Sequence, residues 1–146
     1  MRAIIILLIF TLLAGCGLIE EVNNTLDYGK EAKDYVSTMA SYQDDVSTFL
    51  NKKELTQEDF EELKSMMDEI EAEVKGFNEL EPPSVAEGVH NKIEEQNNQI
   101  LEAIDEANRQ IEQGEFDQSA FENLEIVKSL EELKSYREQI ENFMNN

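Results

Sequence analysis

The only cysteine of the chain, Cys16, stands in the most informative chemical context of the sequence. Its thiol can form a thioether, and the three residues before it are apolar or small: Leu13, Ala14 and Gly15. Upstream lie one basic residue, Arg2, and an apolar run over residues 3–13. A basic start, a short apolar run and small residues at a cut site are typical of a secretory signal peptide. The run is well short of the roughly 20 residues that a membrane-spanning helix needs.

The motif Leu13-Ala14-Gly15-Cys16 resembles the bacterial lipobox, in which a diacylglyceryl group is attached to the cysteine and the signal is cut just before it. The resemblance implies that residues 1–15 are a lipoprotein signal peptide, which Leu13, Ala14 and Gly15 help to mark for recognition. Residues 16–146 would then form the mature protein. A lipid anchor at Cys16 would hold it on the outer face of the bacterial cytoplasmic membrane.

Glu87 and His90 form the second arrangement that could do chemistry. Di-iron helical bundles use the Glu-x-x-His spacing on two helices. His90 is the only histidine, so a second copy cannot exist. Glu87 can instead form a capping box with Ser84 at the start of a helix, and His90 is predicted to flank the apolar stripe of that helix. We therefore predict no metal site and no cofactor.

Sequence motifs for nucleophilic catalysis, for phosphate cradles and for calcium loops are missing. Acidic pairs such as Glu61-Glu62 are frequent, but adjacent helical residues diverge by about 100° and mostly face water. The sequence therefore predicts that the protein is not an enzyme.

The net charge is −21, and loss of residues 1–15 changes it to −22 because Arg2 is the only charged residue among them. This charge argues against nucleic acid as a partner and against adsorption to anionic lipid. It keeps a helical surface soluble and permits association with cations or basic partners. With Cys16 lipidated, no disulfide can form within the mature chain, so apolar packing must hold the domain together.

Four amphipathic segments follow the anchor, at about residues 19–51, 56–80, 85–113 and 117–143. The first carries an apolar face three heptad columns wide, of which one is aromatic: Tyr28, Tyr35, Tyr42 and Phe49. We expect these rings to pack at the edge of the core, with the hydroxyl groups of the three tyrosines reaching water. Short connections between long helices favour antiparallel neighbours. The predicted fold is an all-α, antiparallel, up-down-up-down four-helix bundle.

Local signals mark the predicted helix ends. Thr56 is a good N-cap for the second helix, Pro82-Pro83 ends that helix, and Gly114 is a natural residue after the third. Asp117 is the predicted N-cap of the fourth, with Phe116 and Phe121 at the positions of a hydrophobic staple.

Two irregularities remain open in the predicted helices. The run Gln96-Asn97-Asn98-Gln99 interrupts the apolar stripe of the third helix, which predicts either a polar layer or a loosely packed helix. Ser129 with Glu132 could be a further capping box, so the fourth helix is either continuous through Lys128 or broken near it.

The lipobox, the segment Leu18–Leu26 that follows it, and Gly114-Glu115-Phe116-Asp117 with Glu122-Asn123 resemble a family of small helical lipoproteins from spore-forming Gram-positive bacteria, known only as a domain of unknown function. This resemblance implies the same location on the membrane and brings no active residues with it.

Two classes of function follow. The first is a protein-interaction, regulatory or accessory module of the cell envelope, with an envelope protein as its unknown partner. The second is a binder of a small ligand or a cation. A contiguous exposed apolar patch would favour the first, and a closed apolar pocket with convergent polar groups would favour the second.

Overall fold

The computed structural model describes the backbone of residues 2–117 and 125–145, and the side chains of residues 23–117 and 126–145. Within these ranges the chain is helical and contains no strand. The helices are α1 (Arg2–Leu50), α2 (Gln57–Asn78), α3 (Glu87–Gln113), α4 (Glu125–Ser135) and α5 (Arg137–Met144).

The helices form the four-helix bundle that the sequence predicts, with α4 and α5 together as its fourth arm. α1 packs against α2 on one side and against α4 and α5 on the other, while α3 packs between α2 and α4. Helices that follow one another along the chain are therefore neighbours. α1 and α3 lie on a diagonal of the bundle and run in the same direction.

The core is built from apolar residues that recur every three or four positions. The most regular repeat of the sequence becomes the buried face of α2: Leu63, Met67, Ile70, Val74 and Phe77. The other helices oppose it with fully buried side chains of the same kind, among them Met39, Ile93, Ile104, Ile126, Leu130 and Ile140. Burial of such side chains stabilises the fold by about 1.5–3 kcal/mol each, which lets the chain dispense with disulfides.

Two of the predicted helix ends are confirmed. The backbone N–H of Asp59 donates to Thr56 Oγ1 at 3.3 Å, and the Asp59 carboxylate accepts from the backbone N–H of Thr56 at 2.7 Å. This reciprocal capping box starts α2. Gly114 ends α3 with φ at 69°, a left-handed conformation that favours glycine.

The predicted capping box of Ser84 with Glu87 is wrong. α3 begins at Glu87, its N-cap position is Ala86, and no side chain caps it. The reason lies in the turn after the two prolines, where the backbone N–H of Ala86 donates to Pro83 O at 2.8 Å. This turn places Ser84 before the N-cap position, so its hydroxyl cannot fill that role.

The fourth arm is helical through Lys128 and is interrupted instead at Tyr136, between α4 and α5. Ser129 does not start a helix, because it lies buried within α4 and its Oγ donates to Gln99 Oε1 at 3.1 Å. The predicted start of this arm at Asp117 cannot be compared, since residues 118–124, with the staple residue Phe121, lie outside the described part.

Two helical glycines should respond oppositely to the same substitution. A Cβ at Gly76 would meet nothing within 4 Å, whereas a Cβ at Gly29 would overlap Met144 Cγ and lie 2.7 Å from its Sδ. Gly76→Ala should raise the free energy of unfolding by about 0.5–1 kcal/mol, because alanine is the better helix former. The free energy of unfolding of Gly29→Ala should be about 1–3 kcal/mol lower than that of Gly76→Ala, because the added methyl group overpacks against α5. Urea unfolding of the two variants measures this difference, and equal stabilities would contradict it.

Candidate functional site

The segment of the predicted anchor lies within the backbone of α1. Leu13, Ala14, Gly15 and Cys16 fall inside the helix Arg2–Leu50, and their side chains are outside the described ones. Their roles in signal recognition and lipid attachment therefore stay predictions. The helix leads from Cys16 to the first buried aromatic residue, Tyr28, over about 18 Å at 1.5 Å per residue. Among the described residues, no helix has the length and apolarity needed to span a membrane.

His90 lies in the core and not beside it, so the sequence prediction of its position is wrong. Only 4% of its surface is exposed, and its ring stacks on Phe77 with 5.0 Å between centroids. The buried face of α3 is wider than its apolar stripe, because polar residues on it are paired across the core. Glu87 is exposed, so the Glu87-x-x-His90 pattern does not converge on one point. In the described ranges, no group of three or more His, Cys, Asp or Glu residues is arranged to hold a metal ion.

The imidazole of His90 has a partner on each nitrogen. Nδ1 lies 2.9 Å from the hydroxyl of Tyr28, and Nε2 lies 3.7 Å from the carboxylate of Glu94. A carboxylate can only accept, so the neutral tautomer with its proton on Nε2 suits both neighbours, and Tyr28 then donates to Nδ1. Burial lowers the pKa of His90, and the negative charge of Glu94 opposes that effect.

A second buried tyrosine repeats this arrangement seven residues later on both helices. The hydroxyl of Tyr35 donates to Asn97 Oδ1 at 2.5 Å, and Asn97 Nδ2 donates to Asn78 Oδ1 at 2.6 Å. Of the two alternatives for residues 96–99, the polar layer is confirmed. Gln96 and Asn97 are buried, and α3 continues through them.

The expectation that the tyrosine hydroxyls reach water is wrong for Tyr28 and Tyr35 and fits only Tyr42. The hydroxyl of Tyr42 donates to the exposed carboxylate of Glu69 at 3.2 Å. Because α1 and α3 run parallel on a diagonal, tyrosines spaced by seven on α1 face polar residues spaced by seven on α3. Each long side chain crosses the centre of the bundle to reach its partner.

This buried hydrogen-bond network serves the fold. Burial raises the pKa of Tyr28 and of Tyr35 well above the usual range of a phenol, so both hydroxyls stay protonated donors. The bonds link α1 with α3 and, through Asn97 and Asn78, with α2. A satisfied network of this kind fixes the register of the helices. The signal in the sequence was the matched spacing of Tyr28 and Tyr35 with His90 and Asn97.

Titration of His90 should make the fold less stable in mild acid. Its pKa is lowered in the folded state, so below about 6.5 the unfolded chain binds the proton first and is favoured. The stability that wild type has above this pH should be lost as the pH falls toward the folded-state pKa. Urea unfolding between pH 7.5 and 5 should show wild type losing stability relative to His90→Gln, which retains an acceptor for Tyr28. Parallel curves for the two proteins would contradict the prediction.

Outside the core, α1 and α2 enclose an open groove of about 480 Å³, here called the α1–α2 groove. Its apolar lining comes from Tyr35, Ala72, Phe77 and Leu80, with Gly76 between them. Three exposed carboxylates line it as well: Glu31, Asp34 and Glu73. The groove thus combines apolar surface with negative charge.

A smaller depression of about 250 Å³ follows along the same seam between the two helices. Its lining includes Phe49, Met66 and two carboxylates, Asp45 and Glu62. Lys52 lines it as well, with its ammonium group 3.5 Å from Glu62 and 5.8 Å from the centroid of the Phe49 ring. The Tyr42–Glu69 hydrogen bond joins the helices between the two depressions. Sequence reasoning missed this surface. The one local hint was Gly76, a glycine inside an otherwise strong helix.

Comparison with known proteins places the bundle among uncharacterised relatives. A family model described as a family of unknown function, DUF6376, matches residues 28–143. The "Uncharacterized lipoprotein YybP" of Bacillus subtilis (strain 168) is 28% identical over 127 residues, which cover 87% of this chain and 86% of that protein. No solved structure matches the chain. These matches confirm the resemblance read from the sequence, to small lipoproteins of spore-forming Gram-positive bacteria.

Proposed function

We propose that this chain, which belongs to DUF6376, a family of unknown function whose model covers the bundle, is a lipid-anchored module that binds another protein of the cell envelope. The lipobox at Leu13–Cys16 and the likeness to a B. subtilis lipoprotein support an extracytoplasmic, membrane-anchored protein. The outer face of the cytoplasmic membrane is the location that the signal supports. The proposed role is regulatory or accessory, without catalysis.

The observation that carries the proposal is the open α1–α2 groove. It brings the edges of the Tyr35 and Phe77 rings and the side chains of Leu80 and Ala72 beside unneutralised carboxylates on the outside of the bundle. Apolar groups surrounded by charged ones are expected at a protein-binding site. Among the buried polar groups, Tyr28 pairs with His90 and Tyr35 with Asn97, whereas Gln43 Oε1 and Asn108 Oδ1 have no hydrogen-bond partner among the residues that the structure describes.

Membrane anchoring makes such a module effective at modest affinity. A lipid at Cys16 confines the bundle to the plane in which a membrane partner also diffuses. Confinement raises the effective concentration of each protein for the other. Even a weak interaction can then be largely formed without any additional contact area.

Photo-crosslinking in intact cells tests the proposal. A photoreactive amino acid is placed in the full-length lipoprotein at one exposed position per face: Ala72 beside the groove, Glu102 on α3 and Glu131 on α4. We expect one face to give a defined crosslinked envelope protein that mass spectrometry identifies. Correctly anchored protein that crosslinks to no protein from any face would overturn the proposal. Strong stabilisation by micromolar calcium beyond matched sodium would favour the cation-binding function instead.

A further inference from the structure

We infer that the α1–α2 groove docks a basic amphipathic helix of the partner protein. The inference rests on the proposed function and specifies its site and the chemistry of its occupant. Four features of the groove carry it: a rigid apolar floor, free negative charge, a glycine that keeps it open, and its shape.

The floor of the groove is held rigidly by the core. Tyr35 and Phe77 stack with 4.4 Å between ring centroids and an interplanar angle of 28°, and both are almost fully buried. Tyr35 is fixed further by its hydrogen bond to Asn97. Half-buried Leu80 and exposed Ala72 extend this apolar surface to the outside. A preorganised floor of this kind receives apolar side chains at little cost in ordering.

The charge around the floor is entirely negative. Within the described part of the chain, Glu31, Asp34 and Glu73 form no ion pair. The lysines that precede or follow them in sequence are paired elsewhere: Lys30 with Asp27, Lys33 with Glu141, and Lys75 with Glu71. A partner helix with Lys or Arg beside its apolar face would complement these three carboxylates, whereas an acidic partner would be repelled by them.

Gly76 keeps the groove open at a cost to the helix. A glycine inside a helix destabilises it by about 0.5–1 kcal/mol relative to alanine. Nothing in the fold requires that glycine, because a Cβ there would meet no atom within 4 Å. Gly29 differs, since α5 fills the space above it with Met144. The space above Gly76 is therefore free to receive a side chain from outside the chain.

The shape of the seam favours a helix over a compact cation. The lining of the two depressions runs on α1 from Glu31 to Phe49, about 27 Å at 1.5 Å per residue. Carboxylates continue along the seam beyond the α1–α2 groove at Glu69, Asp45 and Glu62, of which Glu62 already pairs with Lys52. A helix of about 18 residues has this length and can place apolar anchors in both depressions and basic residues along the seam.

Binding of a synthetic helix to the anchored protein tests the inference. The mature lipoprotein is placed in phosphatidylcholine nanodiscs, with empty nanodiscs as the blank. The probe is a fluorescent peptide of about 18 leucine and lysine residues patterned as an amphipathic helix, and the same residues in scrambled order are the control. We expect saturable binding of the patterned peptide and at least about tenfold weaker binding of the scrambled one.

Matched variants locate the binding. Gly76→Leu should fill the groove and weaken binding about tenfold or more, whereas Gly88→Leu, at another open helical glycine, should change it little. The triple variant Glu31→Gln, Asp34→Asn and Glu73→Gln removes the negative charge around the groove. It should weaken peptide binding about as much as Gly76→Leu does. The control makes the same charge change on α3 and α4: Glu95→Gln, Glu102→Gln and Glu131→Gln.

Several outcomes would overturn the inference. The inference would be wrong if the patterned peptide did not bind or if the scrambled peptide bound equally well. It would also be wrong if Gly76→Leu bound the peptide like wild type, or if the groove triplet and the control triplet weakened binding equally. The proposed function fails separately. In-cell crosslinks from Glu102 or Glu131 with none from Ala72 would keep an envelope partner and reject the groove, whereas no crosslink from any face would reject the partner itself.

Discussion

Replacement of Cys16 by alanine should abolish lipid attachment and leave the precursor uncut before residue 16. The thioether requires the cysteine sulfur, and the chain holds no other cysteine to take its place. The lipid anchor should be lost with it, because no diacylglyceryl group can then be attached to the chain. Metabolic labelling with a clickable fatty acid and the mass of the purified protein measure both effects.

The adjacent variant Gly17→Ala is the control, since it changes a small residue after the cut site and leaves the Leu13–Cys16 motif intact. It should label and mature like wild type. Two acyl chains hold a protein stably on a membrane, whereas one chain binds only marginally. Wild type should therefore stay with the membrane fraction in high salt. Normal processing and lipid labelling of Cys16→Ala would refute the lipobox interpretation.

Features set by a few adjacent residues were predictable from the sequence. Thr56 and Gly114 predicted helix ends that the structure confirms, and the amphipathic segment predicted at about residues 56–80 forms α2, whose buried face runs from Leu63 to Phe77. Such signals work because periodicity and capping depend on local backbone geometry. The failure at Ser84 is instructive for the same reason: two local signals competed, and the turn from Pro83 to Ala86 displaced the side-chain cap.

Features that depend on how helices face one another were not predictable. His90 lies outside the apolar stripe of α3 when that helix is read alone, yet Tyr28 from the diagonal helix makes its burial favourable. The hydroxyl of Tyr35 would reach water on an isolated helix, but in the bundle the side-chain oxygen of Asn97 accepts its hydrogen bond. A buried polar group is stable only with its partner, and the partner here is 62 residues away.

The α1–α2 groove was even less predictable from the sequence. Glu31, Asp34 and Glu73 look like solvated positions in the sequence, because exposed carboxylates are common throughout this chain. Their significance comes from the seam that they flank, and that seam depends on the separation of two helices and on the missing side chain of Gly76. A periodic pattern gives the inward face of a helix but not the shape of the outward gap between two helices.

The second large effect is expected at the centre of the core, where Met67→Asp should unfold the domain. Met67 is fully buried on α2 among apolar side chains, and an aspartate there would have no partner for its charge. Burying an unpaired carboxylate should cost more than about 4 kcal/mol, a large part of the roughly 5–15 kcal/mol that stabilises a domain.

The matched control is Ser65→Asp, which introduces the same charge at an exposed position of the same helix. Circular dichroism and urea unfolding of a soluble form starting at Gly17 distinguish the two. Ser65→Asp should keep the helical spectrum and a cooperative transition close to wild type, because a solvated carboxylate needs no partner. Met67→Asp should lose most of its helical signal without denaturant, since helices of this length are held mainly by packing of their apolar faces. A cooperative transition for Met67→Asp within 1 kcal/mol or so of the control would show that this face of α2 is not the centre of the core.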